Sequence, residues 1–346
     1  MDLGFFKNKK VLITGHTGFK GSWLTEILLD AGADVTGYSL VPPTDPNLFT
    51  ELGLAERLGE KHVIGDVCDL PHLMEVFRKT QPEIVLHLAA QPIVRVSYYD
   101  PVGTYASNVM GTVHLMECVR MTTSVRSVLN VTTDKVYENF EWERGYREDD
   151  RLDGYDPYSN SKSCSELVTH SYKKSFLDAM GIAVSTARAG NVIGGGDYAK
   201  DRIIPDCIRA ALKKESIKVR NPYSTRPYQH VLEPLLVYLM IVKEQYGNLS
   251  LAGYYNVGPD DTDCLTTGHI ADLFCKYWGD GQTWENLFAG GPHEAGFLKL
   301  DNTKIKETFG WHPVWNVEEA VRRTVEFAKS EERVQCVKDQ ISDFIR

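Results

Sequence analysis

The sequence predicts an α/β protein, a doubly wound parallel sheet with a smaller, discontinuous lobe, and three observations predict it. Short apolar runs alternate with longer helix-like segments: "KKVLITG", "SWLTEILLDAG", "DVTGYSL", "HVIGDV", "PHLMEVFRKT", "PEIVLHLAA" and "RSVLNVTT". That alternation marks repeated β-α units whose strands are covered on both faces. A glycine-rich turn stands at the first β-α junction. After "DAMGIAVSTARAGNVIGGGD" the regularity weakens, and the stretches from about 191 to 228 and 262 to 300 are richer in Gly, Pro and polar residues.

Between those stretches, "EPLLVYLMIVKEQ" and "YYNVGP" read as a helix and a strand that return to the main sheet. The expected division is a dinucleotide-binding domain over 1–190, about 229–261 and part of the C-terminus, with a substrate lobe over about 191–228 and 262–300. No repeat or low-complexity linker separates them, so the two should pack as one unit around a cleft.

At 346 residues and 42% hydrophobic content the chain can bury a full core. Its net charge of -9 comes without a long acidic or basic block, which argues against nucleic acid or a membrane surface as partner. The seven cysteines form no C-x-x-C pair and their number is odd, which fits neither a disulfide framework nor a metal site. The N-terminus lacks an apolar signal core, and no run approaches the roughly 18 apolar residues of a membrane span. A cytoplasmic protein is expected.

"VLITGHTGFKGSWL" places Gly15, Gly18 and Gly21 after a strand and at a helix start, with Thr17 and Phe19 between them. A pyrophosphate needs a tight turn, close backbone approach and a helix N-terminus with free N–H groups. The turn therefore predicts a Rossmann-type dinucleotide site. The second strand ends in Tyr38-Ser39-Leu40, without the acidic residue that binds ribose hydroxyls and without an Arg for a 2′-phosphate. NAD is favoured modestly. Asp66 in "IGDV" either accepts from the adenine amino group or caps the next helix.

"DPYSNSKSCSELVTHSY" carries Tyr158 and Lys162 four residues apart on one helix face. For the tyrosine to act as a base at neutral pH, its pKa must fall by roughly three units, about 4 kcal/mol. One cation about 4 Å away at an effective dielectric of about 20 is worth that much. Tyr158 and Lys162 downstream of the glycine turn make the chain resemble the extended short-chain dehydrogenase/reductase superfamily over nearly its whole length. The resemblance implies that Tyr158 takes a sugar hydroxyl proton, that Lys162 binds the cofactor ribose and lowers the tyrosine pKa, and that Thr133 holds the substrate oxygen.

Seven stretches narrow the match: "GHTGFKGSWL", "HLAAQPIVRVSY", "NVMGT", "TTDKVYEN", "DPYSNSK", "RPYQHVLEPL" and "PHEAGFLKLD". Together they resemble the CDP-D-glucose 4,6-dehydratases of deoxysugar biosynthesis. In related dTDP-glucose dehydratases a Thr-Asp-Glu run stands where this chain has Thr133-Asp134-Lys135. The resemblance implies oxidation at C4 of the hexose of CDP-glucose by NAD, elimination of water across C5 and C6, and hydride return to C6. Elimination needs an acid at the C6 hydroxyl and a base at C5, which a 4-epimerase does not. By resemblance Asp134 is the acid, and Lys135 is either the base or a cation that stabilises the enolate. Both can share one substrate only if the chain leaves strand geometry there, because strand neighbours point to opposite sides.

A nucleotide sugar also carries a pyrophosphate, which calls for Arg and for amide donors. Asn191, Arg202, Arg226 and His293 are the candidates, with Asn191 and Arg226 favoured by resemblance; Arg202 and His293 are equally readable as ordinary polar contacts. Arg95 and Ser97 fall where the carboxyl edge of the sheet faces the cleft. The helices "GTVHLMECVRM" and "CSELVTHSYKKSFL" carry apolar surface for a homodimer or homotetramer, or for packing on the sheet.

Overall fold

The computed structural model describes residues 2–287 and 296–346. Its main sheet has seven strands: β1 (Lys10–Thr14), β2 (Asp34–Ser39), β3 (His62–Ile64), β4 (Ile84–His87), β5 (Ser127–Thr133), β6 (Ala183–Ala189) and, further along the chain, Tyr254–Val257. The spatial order is Tyr254–Val257, β6, β5, β4, β1, β2, β3, and every neighbouring pair is parallel. This is the doubly wound order, with the chain reversing direction across the sheet between β1 and β4.

Strand alternation sorts the core into two layers. Val11, Ile13, Leu86, Leu129 and Val131 face a cluster with Trp23 and Ile27 of the helix Phe19–Asp30 and with the helix Leu232–Gly247. Leu12, Val85 and Val128 point the other way, onto Leu73 and Phe77 of the helix Leu70–Thr80 and onto Leu115 and Val119 of the helix Gly111–Arg120. Strands buried on both faces explain why their sequences read as continuous apolar runs.

Two small sheets lie beside the main one. β7 (Asn191–Ile193) runs parallel to β9 (Thr225–His230), which pairs antiparallel with Cys264–Thr266; β8 (Ile217–Val219) runs parallel to Trp284–Asn286. A third apolar cluster joins Ile193, Val219 and Tyr228 to Ile204, Phe274 and Val321. It draws in the helix Val317–Lys329, whose Phe327 packs into the main core, so this helix stitches the two clusters together. Among the described residues no helix is long and apolar enough to cross a membrane.

Candidate active site

A cleft of about 2020 Å³ opens along the carboxyl edge of the main sheet and is closed on its other side by the small sheets. One end is the glycine turn. Gly15 has φ +79°, which favours glycine, and a Cβ there would meet the Ala89 backbone nitrogen at 2.7 Å. A Cβ on Gly21 would lie 2.1 Å from the Gly15 carbonyl oxygen, so only glycine lets the helix Phe19–Asp30 pack this close to β1. Gly18 is the N-cap of that helix and Phe19 its first residue; both line the cleft. The backbone thus forms a cradle that fits a dinucleotide pyrophosphate.

Thr17 also lines this wall, but its hydroxyl bonds the Ser39 hydroxyl at 2.7 Å and the Leu40 carbonyl at 2.9 Å, which ties the end of β2 to the turn. Asp66 lines the cleft too. Its Oδ1 accepts from the Cys68 N–H at 2.8 Å, while the cap of the helix Leu70–Thr80 is Asp69. The capping alternative for Asp66 is therefore overturned, since three more residues separate it from the helix start. Ser97 is a second correction: it is buried and its hydroxyl donates to its own helix at Val94 O, 2.7 Å away.

The other end is built where β5 stops. Thr133 is still extended (φ −145°, ψ 158°), and the next three residues, Asp134–Val136, form a single 3₁₀ turn. The turn puts Asp134 and Lys135 on the same side. Thr133 Oγ1 donates to Asp134 Oδ1 at 2.9 Å, and Lys135 Nζ reaches the same oxygen at 3.0 Å and Asn191 Oδ1 at 3.3 Å. Asp134 is fully buried and its Oδ2 has no hydrogen-bond partner among the described residues. An unpartnered carboxylate oxygen in a buried site is costly unless a ligand group meets it.

Tyr158 and Lys162 come from the first turns of the helix Pro157–Tyr172, capped by Asp156, whose side chain accepts from Ser159 N–H at 3.0 Å. Burial pushes the Tyr158 hydroxyl up to about 12, opposed by its hydrogen bond with Thr133. The Tyr158 hydroxyl therefore stands above its ordinary value rather than below it, because burial outweighs that hydrogen bond. Lys162 Nζ donates to the Val131 carbonyl at 3.1 Å, and burial lowers it to about 8 against the pull of Glu166. Lys20, within the glycine turn, also lines the cleft; burial first, then Arg202 and Lys162, lower it to about 7. Sequence reading passed over it, although a lysine inside such a turn was a visible signal.

The remaining expected residues are spread along the cleft. Arg202 lines it and pairs with the buried Asp197, Nη1 to Oδ2 at 2.9 Å; Tyr158 lies close enough to feel its charge. Arg226 is buried on β9 and donates to the Thr225 carbonyl at 2.9 Å. Arg95 stands 4.0 Å from Asp201 across the cleft. Asn191 joins Lys135 as described. His293 lies outside the described residues.

A family model described as GDP-mannose 4,6 dehydratase matches residues 12–257. The chain belongs to this family. Within reach of the 4,6 dehydratases, the CDP-glucose 4,6-dehydratase of Salmonella typhimurium is 45% identical over 355 residues, covering 100% of this chain and 98% of that protein. The dehydratase kinship expected from the motifs therefore holds. A UDP-glucose 4-epimerase of Thermus thermophilus in complex with NAD superposes with a TM-score of 0.79 at 24% identity, covering 93% of this chain and 99% of that one. The dTDP-glucose 4,6-dehydratase of Bacillus anthracis in complex with NAD gives 0.78 at 20% identity, covering 95% and 99%. At these identities the two structures share the fold, which dehydratases and epimerases have in common.

Proposed function

We propose that the protein is an NAD-dependent CDP-D-glucose 4,6-dehydratase, which turns CDP-D-glucose into CDP-4-dehydro-6-deoxy-D-glucose and water. The observation that carries this reading is the 3₁₀ turn that sets Asp134 and Lys135 together beside Thr133, an acid–base couple that hydride exchange alone does not need. The full-length identity to the Salmonella enzyme supports CDP-glucose as the substrate.

The turn of Gly15, Gly18 and Gly21 would hold the NAD pyrophosphate, and the nicotinamide would supply the hydride acceptor for C4 of the hexose and the donor for C6. Tyr158 takes the C4 hydroxyl proton while Thr133 holds that oxygen. The lowering of Tyr158 that this requires would come from the cationic nicotinamide, added to the Lys162 ammonium already in the site. Oxidation at C4 acidifies the C5 proton, because the carbanion delocalises into the ketone. Lys135 passes its ammonium proton to Asp134 across their 3.0 Å contact and becomes the amine that takes the C5 proton. Asp134 gives its new proton to the C6 hydroxyl, which leaves as water. Lys135 then returns the proton to C5 as the hydride reaches C6, and the proton held by Tyr158 replaces the one spent on water. Arg226 and Arg202 supply the cations for the diphosphate, and Asn191 orients Lys135.

Incubation with CDP-glucose and NAD, followed by mass analysis of the sugar, tests this. Loss of one water is expected. Unchanged mass with inverted C4 would make the protein an epimerase, and inertness towards every nucleotide sugar would make it a cofactor-binding regulator. We also infer that a second copy of the chain covers the helices Pro101–Tyr105, Gly111–Arg120 and Pro157–Tyr172, and that the seven free cysteines belong to a reducing cytoplasm.

A further inference from the structure

The wall of the cleft formed by the small sheets carries a charge cluster that the steps above do not use. Asp206 lies in the first turn of the helix Ile203–Leu212, and Arg220 directly follows β8. Both line the cleft, with Lys218, Val219 and Asn221. Asp206, Lys218 and Arg220 also line a second hollow of about 520 Å³, so this wall has room on both sides.

Burial raises the Asp206 carboxyl, against the hydrogen bond and charge of Arg209 and the charge of Arg220. Its Oδ1 accepts from Arg209. Its Oδ2 stands 3.7 Å from Arg220 Nη2, outside hydrogen-bond range. Arg220 turns its other nitrogen to Asp201 Oδ1 at 2.5 Å, and the same oxygen faces Arg95 at 4.0 Å. Lys218 is held by Glu285. An acceptor and a fork of donors thus sit side by side with a gap between them.

We propose that Asp206 and Arg220 read the edge of the pyrimidine base. Asp206 Oδ2 accepts from the exocyclic amino group of cytosine, and Arg220 donates to the ring nitrogen and the carbonyl oxygen beside it. Cytosine offers a donor at its C4 position, which a carboxylate matches. Uracil and thymine offer a carbonyl oxygen there and an N–H at the neighbouring ring atom. They would set oxygen against Asp206 and a donor against Arg220, and mispaired groups of this kind discriminate strongly. This inference rests on the dehydratase reading, because it needs a nucleoside diphosphate hexose lying along the cleft with its sugar at Thr133.

The test compares kcat/KM for CDP-glucose and UDP-glucose in the wild type, Asp206→Asn, Asp206→Glu and Arg220→Gln. The amide of Asp206→Asn can turn either its oxygen or its NH2 to the base, so the CDP:UDP preference should fall roughly tenfold. Asp206→Glu keeps an acceptor and should keep part of the preference. Arg220→Gln should lose more affinity for CDP than for UDP, measured by calorimetric titration of the two nucleotides. An unchanged substrate ratio in Asp206→Asn, or equal loss of both nucleotides in Arg220→Gln, overturns the proposal. If the wild type dehydrates CDP-glucose while the variants keep its preference, base reading alone fails. If the wild type dehydrates nothing yet prefers CDP to UDP through these residues, the catalytic reading alone fails.

Discussion

Lys135 can reach Asp134 because the chain stops being a strand one residue after Thr133. In continued β geometry the two side chains would point to opposite faces; in a 3₁₀ turn they meet at 3.0 Å. Lys135→Met removes the amine but leaves Tyr158 and Lys162 in place. It should still oxidise C4, seen as formation of reduced cofactor, but it should lose exchange of the C5 proton with solvent; normal exchange, followed by mass or NMR in deuterated water, would remove Lys135 from the base role. Lys20 makes a second residue-level case. It shares the cleft with Lys162, Arg202 and Lys135, and oxidised NAD brings one more positive charge. Lys20→Ile should therefore tighten NAD binding severalfold, by about 1 kcal/mol, and should tighten it less for the uncharged reduced ring. Equal effects on both forms in fluorescence titration would assign Lys20 to the diphosphate instead. The Tyr158–Lys162 couple was legible from spacing, since i, i+4 residues share a helix face; Asp134 and Lys135 were named by resemblance, but that they meet was not legible, since no spacing rule announces where a strand ends.

Between residues and the whole molecule stand the joints between elements, and one of them titrates. β9 runs directly into the helix Leu232–Gly247, whose second residue is Glu233. Glu233 Oε1 accepts from the Val314 and Trp315 N–H groups at 2.8 and 2.7 Å, and it ties the helix start to the segment ahead of Val317–Lys329. Its Oε2 has no hydrogen-bond partner among the described residues. Burial raises this carboxyl from 4.5 to about 7 despite those two donors. The folded state thus holds a proton that the unfolded chain releases. The stability it contributes is full below about pH 4.5 and is lost as pH rises through about 7. Glu233→Gln keeps an acceptor and cannot ionise, so it should gain on the wild type by up to roughly 3 kcal/mol between about pH 5 and about pH 8. Urea unfolding at the two pH values measures this. No relative gain would mean that the carboxylate is solvated or paired in solution.

At the scale of the molecule, the proposed dimer surface spans the helices Pro101–Tyr105 and Pro157–Tyr172, which pack against each other. Val102 on the helix Pro101–Tyr105 is 79% exposed and Leu167 on the helix Pro157–Tyr172 56%; Tyr99, at the end of the helix before Pro101, and Met110, just ahead of Gly111–Arg120, are exposed too. Charging it with Val102→Asp and Leu167→Asp together should convert the proposed dimer to a monomer in light scattering without lowering the melting temperature by more than a few degrees. A monomeric wild type, or a double variant that remains dimeric, would assign these side chains to ordinary surface. The fold and the cradle were written in local pattern. Apolar runs of strand length, helix-length segments between them and glycines at the first turn each follow from neighbours in the chain, and the sheet order Tyr254–Val257, β6, β5, β4, β1, β2, β3 realises them. What only the tertiary structure decided depends on how the chain turns between residues, which spacing alone does not give. Asn191 meets Lys135 because β7 leaves β6 towards the cleft, Arg202 turns to Asp197 and lies near Tyr158, and Asp206 faces Arg220 across two elements. The sequence by itself determined which chemistry the chain can perform, since that rests on residue types at short spacing; the tertiary structure decided which of its many charges stand together, since ion pairing depends on distance through space and on burial.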